Sequence, residues 1–296
     1  MERPKLSEKL VKLGIPAGSL RAATIELFRK AGFNISGSER SFLPAIDDEQ
    51  IQLTMLRAQE MSRYVADGVL DAGITGYDWI MENASDVIEV CELGYSKTTK
   101  KPAKWVLAVP EESKVKKPQD LKGGIVATEL VNVTKKFFAD RNIDVKVEFS
   151  WGATEVKARL VDAIVELTET GTSLAANNLR IIDTVITSTT RFIANKQSWQ
   201  DKFKKEKIEN IAILLNAAID ARSKVGLKMN VEKANLDKIL KVLPAEKSPT
   251  ISGLADPKYI AVEVIIEDKI ERTLVPALKR AGASGIITYP LNKVIH

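Results

Sequence analysis

The residues best suited to chemistry lie in one window, Val161-Asp162-Ala163-Ile164-Val165-Glu166-Leu167-Thr168-Glu169-Thr170-Gly171-Thr172-Ser173-Leu174. An apolar run with strand character delivers the carboxylates Asp162, Glu166 and Glu169. A turn of Thr170, Gly171, Thr172 and Ser173 then opens a helix at Leu174. Such a turn suits a phosphate: glycine lets the backbone approach closely, consecutive N–H groups point at the anion, hydroxyls add donors, and the helix dipole favours negative charge. Carboxylates just upstream suit ribose hydroxyls or Mg²⁺. The same residues also fit a strand, a turn and a helix cap that bind nothing, and spacing alone leaves both readings open.

Composition removes several other chemistries. Histidine occurs once, at His296, and cysteine once, at Cys91. A Ser-His-Asp or Cys-His device needs an internal imidazole base, and a Cys/His zinc site needs several such ligands together. One cysteine permits no intrachain disulfide, which fits a reducing cytoplasm. Met1–Lys12 mixes charges with single apolar residues, and no stretch approaches the ~18 consecutive apolar residues of a membrane span; neither secretion nor membrane insertion is expected. The 44 Lys and Arg against 39 Asp and Glu give a net charge of +5. That balance is too mild, and its basic runs at Lys114–Lys122 and Lys202–Lys207 too free of aromatics, for a nucleic-acid partner.

The elements that must position the window alternate between strand and helix. Val11–Ile15 reads as a buried strand, Ser19 as a helix cap, Leu20–Ala31 as an amphipathic helix and Gly32 as its stop. Gln52–Leu56, Val69–Thr75 and Trp105–Val109 read as further strands, with a helix over Glu60–Asp67. After a charged crossover, Ile125–Thr128, Val145–Phe149 and Val161–Leu167 are strands, separated by helices over Val131–Arg141 and Thr154–Arg159. Ile181–Thr187 and Arg191–Ala194 follow as strands and Ser198–Ala221 as a long helix. The segments Val69-Leu70-Asp71-Ala72-Gly73-Ile74 and Leu160-Val161-Asp162-Ala163-Ile164-Val165 echo one another. These patterns predict an α/β chain of two similar lobes: residues 1–110 with a return segment 187–221, and residues 111–186. A ligand is expected in the cleft between them, where loops leave the carboxyl ends of strands. Residues 222–296 follow the order βαββαβ, the ferredoxin-like pattern of an independent module.

The window resembles the phosphoribosyl-pyrophosphate loop of the ATP phosphoribosyltransferase family, an acidic residue shortly before Ser/Thr-Gly-x-Thr-Leu. Here Glu166 stands where aspartate is usual and Ser173 where threonine is usual. The resemblance extends over nearly the whole chain. Gly152-Ala153-Thr154-Glu155 is similar to the family's Gly-Ser/Ala-x-Glu segment, and Asp67-Gly68-Val69-Leu70-Asp71-Ala72-Gly73-Ile74-Thr75-Gly76 to its Asp-Gly-x-x-Asp-x-Gly-Ile-x-Gly segment. Met55-Leu56-Arg57-Ala58-Gln59-Glu60 sits at its Arg-x-Arg-Asp run, and Ser248-Pro249-Thr250-Ile251 resembles the C-terminal domain of the long form. The chain departs from the family at Ala17-Gly18-Ser19, where Lys-Gly-Arg is usual, with Arg21 two residues on, and at Gln59 in place of the second arginine.

The resemblance implies a periplasmic-binding-protein-like two-lobed core that joins N1 of ATP to the anomeric carbon of phosphoribosyl pyrophosphate, with Mg²⁺ as cofactor and histidine as feedback inhibitor. It implies that Glu169, Thr170, Gly171, Thr172, Ser173 and Leu174 bind phosphoribosyl pyrophosphate and that Asp162 and Glu166 are catalytic. ATP would meet Gly18, Ser19, Arg21, Arg57, Asp71, Gly73 and Lys104. For the effector, Asn230, Thr250, Ser252 and Thr288 are the polar candidates on the C-terminal sheet. A homo-oligomer, from dimer to hexamer, is the expected assembly. The competing expectation is a two-lobed small-molecule binding protein or effector domain without catalysis.

Overall fold

The computed structural model describes residues 9–38, 41–95, 102–244 and 249–295. Met1–Glu8, Ser248 and His296, named above, lie outside the described residues. The chain divides into two compact units, Met1–Leu215 and Asn216–His296.

The first unit holds two α/β lobes of the same build. In chain order it runs β1 (Val11–Pro16), α1 (Arg21–Ala31), the small hairpin β2 (Ile35–Ser36) and β3 (Ala45–Ile46), β4 (Ile51–Leu56), α2 (Ala58–Ala66), β5 (Ala72–Gly76), α3 (Tyr77–Glu82) and β6 (Ile88–Leu93). The chain then enters the second lobe with β7 (Ala103–Pro110), β8 (Ile125–Thr128), α4 (Val131–Ala139), β9 (Lys146–Phe149), α5 (Thr154–Lys157), β10 (Ala163–Thr168), α6 (Thr172–Ala176) and β11 (Leu179–Ser188). It returns through β12 (Thr190–Ala194) and α7 (Lys202–Asp220). The sheet orders are β4-β1-β5-β12-β6 and β11-β7-β10-β8-β9. Read from the parallel edge they are identical: three parallel strands, then one antiparallel strand delivered from the other lobe's side of the chain, then an edge strand. This is the two-lobed, periplasmic-binding-protein-like core that was expected.

The lobe boundary at residue 110 is corrected. Strand β7 pairs with β10 and β11, not with the first sheet. The chain therefore crosses before Ala103, and the charged segment after Pro110 lies wholly inside the second lobe. Its apolar run Trp105-Val106-Leu107-Ala108-Val109 is buried on both faces between helices, which explains why it forms a central strand. The return crossing falls between Ser188 and Thr190, where β11 leaves one sheet and β12 enters the other.

The echo between the lobes proves to be a structural device. Asp71 Oδ2 accepts the Lys12 N–H at 2.8 Å, and Asp162 Oδ2 accepts the Ile125 N–H at 2.8 Å. In return Asp71 N donates to the Lys12 carbonyl and Asp162 N to that of Ile125. Each aspartate thus closes the amino end of a parallel strand pair, β1 with β5 and β8 with β10, where the ladder would otherwise leave an unpaired donor. Asp162 is exposed at the outer end of its strand. Gly124 accommodates it: a Cβ there would stand 3.0 Å from Asp162 Oδ2. The buried Asp71 also takes Ser198 Oγ at 2.6 Å and Lys204 Nζ at 2.7 Å.

Two local expectations are adjusted. Ser19 does not cap α1; residues Gly18–Leu20 form a 3₁₀ turn and the helix begins at Arg21 without a side-chain cap. Strand β5 starts at Ala72 rather than Val69, because the staple at Asp71 fixes where pairing begins.

The second unit contains β13 (Lys224–Glu232), α8 (Leu236–Val242), β14 (Thr250–Gly253), β15 (Tyr259–Glu267), α9 (Glu271–Arg280) and β16 (Ala283–Pro290). Its sheet order β14-β15-β13-β16, antiparallel throughout, is the ferredoxin-like arrangement. Leu227, Met229 and Val231 alternate toward a core with Ile239, Leu274 and Leu278. The unit begins within α7, earlier than residue 222, since Ala217 and Ala221 are buried and the Ala217 carbonyl accepts Val294 N–H.

The two staples should differ in strength. Asp71→Ala strands a mostly buried ammonium and is expected to lower the unfolding free energy by about 3 kcal/mol. Asp162→Ala removes one exposed acceptor and should cost about 1 kcal/mol. Urea titration reads both, and equal losses would contradict this assignment.

Candidate active site

Because the parallel strands of each lobe point the same way, their carboxyl ends meet across one cleft of about 800 Å³. From the first lobe it is lined by Ala17, Gly18 and Ser19 after β1, by Arg57 and Gln59 after β4, and by Gly76, Asp78 and Trp79 after β5. The second lobe contributes Glu129 after β8 and Glu166, Leu167 and Glu169 at the end of β10. The two crossings form the floor, through Tyr95, Trp105 and Ser188–Thr190.

The hydroxyl-rich turn sits at the end of β10. Gly171 is its pivot, with φ of 78°, a left-handed conformation that glycine adopts without steric cost. The Gly171 N–H donates to Thr168 Oγ1 at 2.7 Å, and Thr170 and Thr172 hydroxyls are 2.9 Å apart. Ser173 Oγ donates to Glu155 Oε1 at 2.7 Å, so the Gly-Ala-Thr-Glu segment braces the turn from behind. The first N–H groups of α6 have no partner inside the helix. Leu174 is the exception among the loop candidates: its side chain is buried with Val106, Ile164 and Leu179 and serves the core.

Glu166 faces the cleft beneath this turn. Burial pushes its carboxyl above the ordinary glutamate value, the Leu167 N–H at 2.9 Å opposes that, and the neighbouring charges of Glu155 and Glu129 add to it. Asp78 is buried more deeply, and burial pushes its carboxyl up against the bonds from Trp105 and Ser188.

The cleft gathers Gly18, Ser19, Arg57, Glu166 and Glu169, and leaves other candidates outside. Asp162 lies at the opposite end of β10, about 20 Å from the turn at ~3.3 Å per residue, so it is a strand staple and not a catalytic group. Asp71 is its counterpart in the first lobe and reaches no substrate position. Gly73 faces α2: a Cβ there would lie 2.7 Å from Met61 Sδ, so its glycine serves packing. Arg21 turns to the Ser38 carbonyl at 3.0 Å. Lys104 is exposed in the second lobe, registered between Thr168 and Thr187 beside the hydroxyl-rich turn, not in the first lobe with the other nucleotide candidates. Asp78, Trp79, Glu129 and the Ser188–Thr190 crossing were not anticipated. The signal available for Asp78 was a lone carboxylate two residues after the glycine that ends a strand.

On the C-terminal sheet, Asn230, Thr250 and Ser252 share the face away from the helices, since they register with Ala261, Glu263 and Ala261 respectively. Thr288 pairs with the core-facing Leu227 and borders α9 with Arg272 and Val275. The four cannot converge on one ligand, and Thr288 is the one displaced.

Among the described residues no three His, Cys, Asp or Glu side chains form a ready metal cage, and no helix is long and apolar enough to cross a membrane.

Comparison with known proteins agrees with this layout. Residues 57–217 match the family described as HisG: ATP phosphoribosyltransferase, and residues 221–293 match HisG, C-terminal domain. An ATP phosphoribosyltransferase of Chlorobium chlorochromatii is 56% identical over 97% of this chain and 98% of its own length. One from Thermodesulfovibrio yellowstonii is 56% identical over 98% of this chain and 100% of its own. Among solved structures, a chain of the ATP phosphoribosyl transferase (HisG:HisZ) complex from Thermotoga maritima matches with a TM-score of 0.61 and 26% identity, covering 71% of this chain and 98% of that one. With two matched segments, near-complete coverage and a cleft of this build, the chain belongs to the ATP phosphoribosyltransferase family.

Proposed function

We propose that the cleft holds the two substrates on opposite lobes, with the ribose 5′-phosphate in the turn at Thr170–Ser173 and ATP against Gly18, Ser19 and Arg57. The reaction is the family's: N1 of the adenine forms a bond to the anomeric carbon as the bond from that carbon to pyrophosphate breaks, and the electron pair leaves with pyrophosphate. The observation that carries the assignment is the left-handed Gly171 at the head of α6, flanked by hydroxyls and closely following Glu166 and Glu169 of the cleft lining. A ring nitrogen is already nucleophilic, so a site with no internal histidine suffices if it aligns the reactants and stabilises charge.

Within this reading Glu166 and Glu169 hold the ribose hydroxyls, and they are also the residues that would hold Mg²⁺. The sparse donor set fits a magnesium ion that keeps its waters and rides on substrate phosphates, which is how this cation is commonly bound. When bound, Mg²⁺ neutralises the departing pyrophosphate. Histidine acts as a feedback inhibitor through the C-terminal unit, on the sheet face carrying Asn230, Thr250 and Ser252, in a cytoplasmic homo-oligomer whose two global states bind it unequally.

The direct test is absorbance-monitored turnover with ATP, phosphoribosyl pyrophosphate, Mg²⁺ and pyrophosphatase, with and without histidine. Product formation that histidine suppresses is expected, and no product from folded protein would overturn the assignment. Four variants sharpen it. Gly171→Val should raise the KM for phosphoribosyl pyrophosphate and lower turnover roughly 100-fold, the scale of a 1 Å misplacement, while circular dichroism stays unchanged.

Glu166 must be ionised to accept ribose hydroxyls. With its carboxyl raised by burial, activity should fall on acidification at a pH above the usual glutamate range. Glu166→Gln should lower turnover and erase that limb from the pH profile; an unchanged limb would assign it to another group. Asn230→Ala should raise the half-inhibiting histidine concentration about tenfold, the loss of one or two good hydrogen bonds, and Thr288→Ala should not. The reverse order would place the effector on the helix side of the sheet.

A further inference from the structure

Helix α3 follows β5 and so belongs to the first lobe by chain order, yet both its ends are bonded to the second. In its first turn Asp78, 4% exposed, accepts Trp105 Nε1–H at 2.6 Å on one oxygen and Ser188 Oγ–H at 2.8 Å on the other. Trp105 opens β7 just after the outward crossing, and Ser188 ends β11 just before the return. In its last turn Glu82 places its two oxygens 3.0 and 2.9 Å from the N–H groups of Asn132 and Val133, capping α4 with negative charge. Asn132 Nδ2 returns a bond to the Glu82 carbonyl at 2.9 Å.

The same helix is held to the first lobe at the mouth of the cleft. Ser62 Oγ donates to the Trp79 carbonyl at 3.0 Å, and Asn83 Nδ2 donates to the Gln59 carbonyl at 2.9 Å. Gln59 lines the cleft two residues from Arg57. One short helix therefore joins the turn that faces the nucleotide to both strands through which the chain passes between lobes.

Room for this carboxylate is built into the backbone. A Cβ on Gly76 would stand 2.0 Å from Asp78 Oδ1 and 3.3 Å from Ser188 Oγ. Burying a carboxylate is costly, and Asp78 faces hydrogen-bond donors only, with no ion pair among the described residues. As a fold element it is a poor bargain, but its side chain binds both the strand that follows the outward crossing and the strand that precedes the return.

We infer that Asp78 is a positioning residue for the transfer reaction: by fixing β7 through Trp105 and β11 through Ser188, it sets how far the nucleotide lobe stands from the ribose loop. The inference rests on the reading of the cleft given under Proposed function. Each substrate is gripped by its own lobe, so affinity for one substrate alone is independent of Asp78. Bond formation needs N1 and the anomeric carbon within about 3–3.5 Å, and a misplacement of about 1 Å costs on the order of 100-fold in rate.

The test uses the full chain and three variants. The unaltered protein is assayed first, and absence of turnover would overturn both the reading and the inference. Given turnover, Asp78→Ala should lower kcat by about 10- to 100-fold, while the dissociation constant for phosphoribosyl pyrophosphate alone, measured calorimetrically, changes less than about threefold. Asp78→Asn keeps an acceptor for the Trp105 indole and should recover most of the lost kcat.

A role in stability alone would lower the melting temperature and the active fraction but leave kcat per folded molecule intact. That result, or phosphoribosyl-pyrophosphate affinity falling in step with kcat, would overturn the positioning role and leave the reading of the cleft standing. Should Asp78→Ala not fold, Ser188→Ala frees β11 while Trp105 stays bonded. It should then lower kcat severalfold at unchanged single-substrate affinity, and wild-type turnover there would count against the inference.

Discussion

Parallel strands carry all their carboxyl ends to the same side, and the cleft is a consequence of that constraint applied twice. Each lobe sets a strand with its following helix, β1–α1 or β8–α4, beside a second parallel strand, and closes its outer end with an aspartate ahead of a third. Asp71 and Asp162 do this by the same pair of bonds to the neighbouring strand, one through the side chain and one through the backbone. With the amino ends tied off, the loops that line the cleft emerge at the opposite ends, where the lobes face each other. The aspartates shape the site from about 20 Å away without touching it.

This explains which parts of the molecule could be read from sequence. The central strands β1, β7, β8 and β10 are largely apolar runs bounded by turn residues, and the edge strand β4 alternates apolar with polar. The helices α1, α2 and α4 carry apolar residues at helical spacing. Local pattern settles both. Helix α3 is six residues long, too short to display a period, and β6 is an edge strand interrupted by Glu89 and Glu92, so neither left a clear signature. The assignment of β7 to the first lobe failed for a related reason. A strand's sheet is decided by pairing partners far along the chain, here β10 and β11, and nothing within Ala103–Pro110 encodes that choice.

The site divides along the same line. The proposed role of Gly171 and its hydroxyls rests on local backbone geometry, so their spacing was legible in the sequence. Glu166 was found because it lies in the same window. Asp78 acts through partners 27 and 110 residues away, and no window contains all three. The misreading of Asp162 and Asp71 is the converse case. A carboxylate in an apolar segment near a glycine turn suggests chemistry, whereas the repeat of that carboxylate in both lobes pointed to a shared structural duty. The repeat was visible in the residues; its meaning required the strand register.

Electrostatics gives the last step. The described lining of the cleft carries the carboxylates Glu60, Asp78, Glu92, Glu129, Glu166 and Glu169 against the single guanidinium of Arg57. Two polyphosphate substrates entering such a cleft meet repulsion unless something other than side-chain cations compensates it. On the proposed reading, backbone N–H groups at the turn around Gly171 supply part of that compensation at one phosphate, with no charge to desolvate. The family's usual Lys-Gly-Arg is replaced here by Ala17-Gly18-Ser19, which removes two further cations from the nucleotide side. On the proposed reading, positive charge carried in with the substrates balances the carboxylates of the described lining, and this is the physical ground for proposing magnesium carried on pyrophosphate over a metal held in advance by the protein. On that account the surplus of carboxylates becomes useful once the pyrophosphate and its cation are in place. Their mutual repulsion keeps the empty site from trapping stray anions, and the arriving ion relieves it. Substrate affinity in this protein should therefore be set less by its basic residues than by the divalent cation in solution.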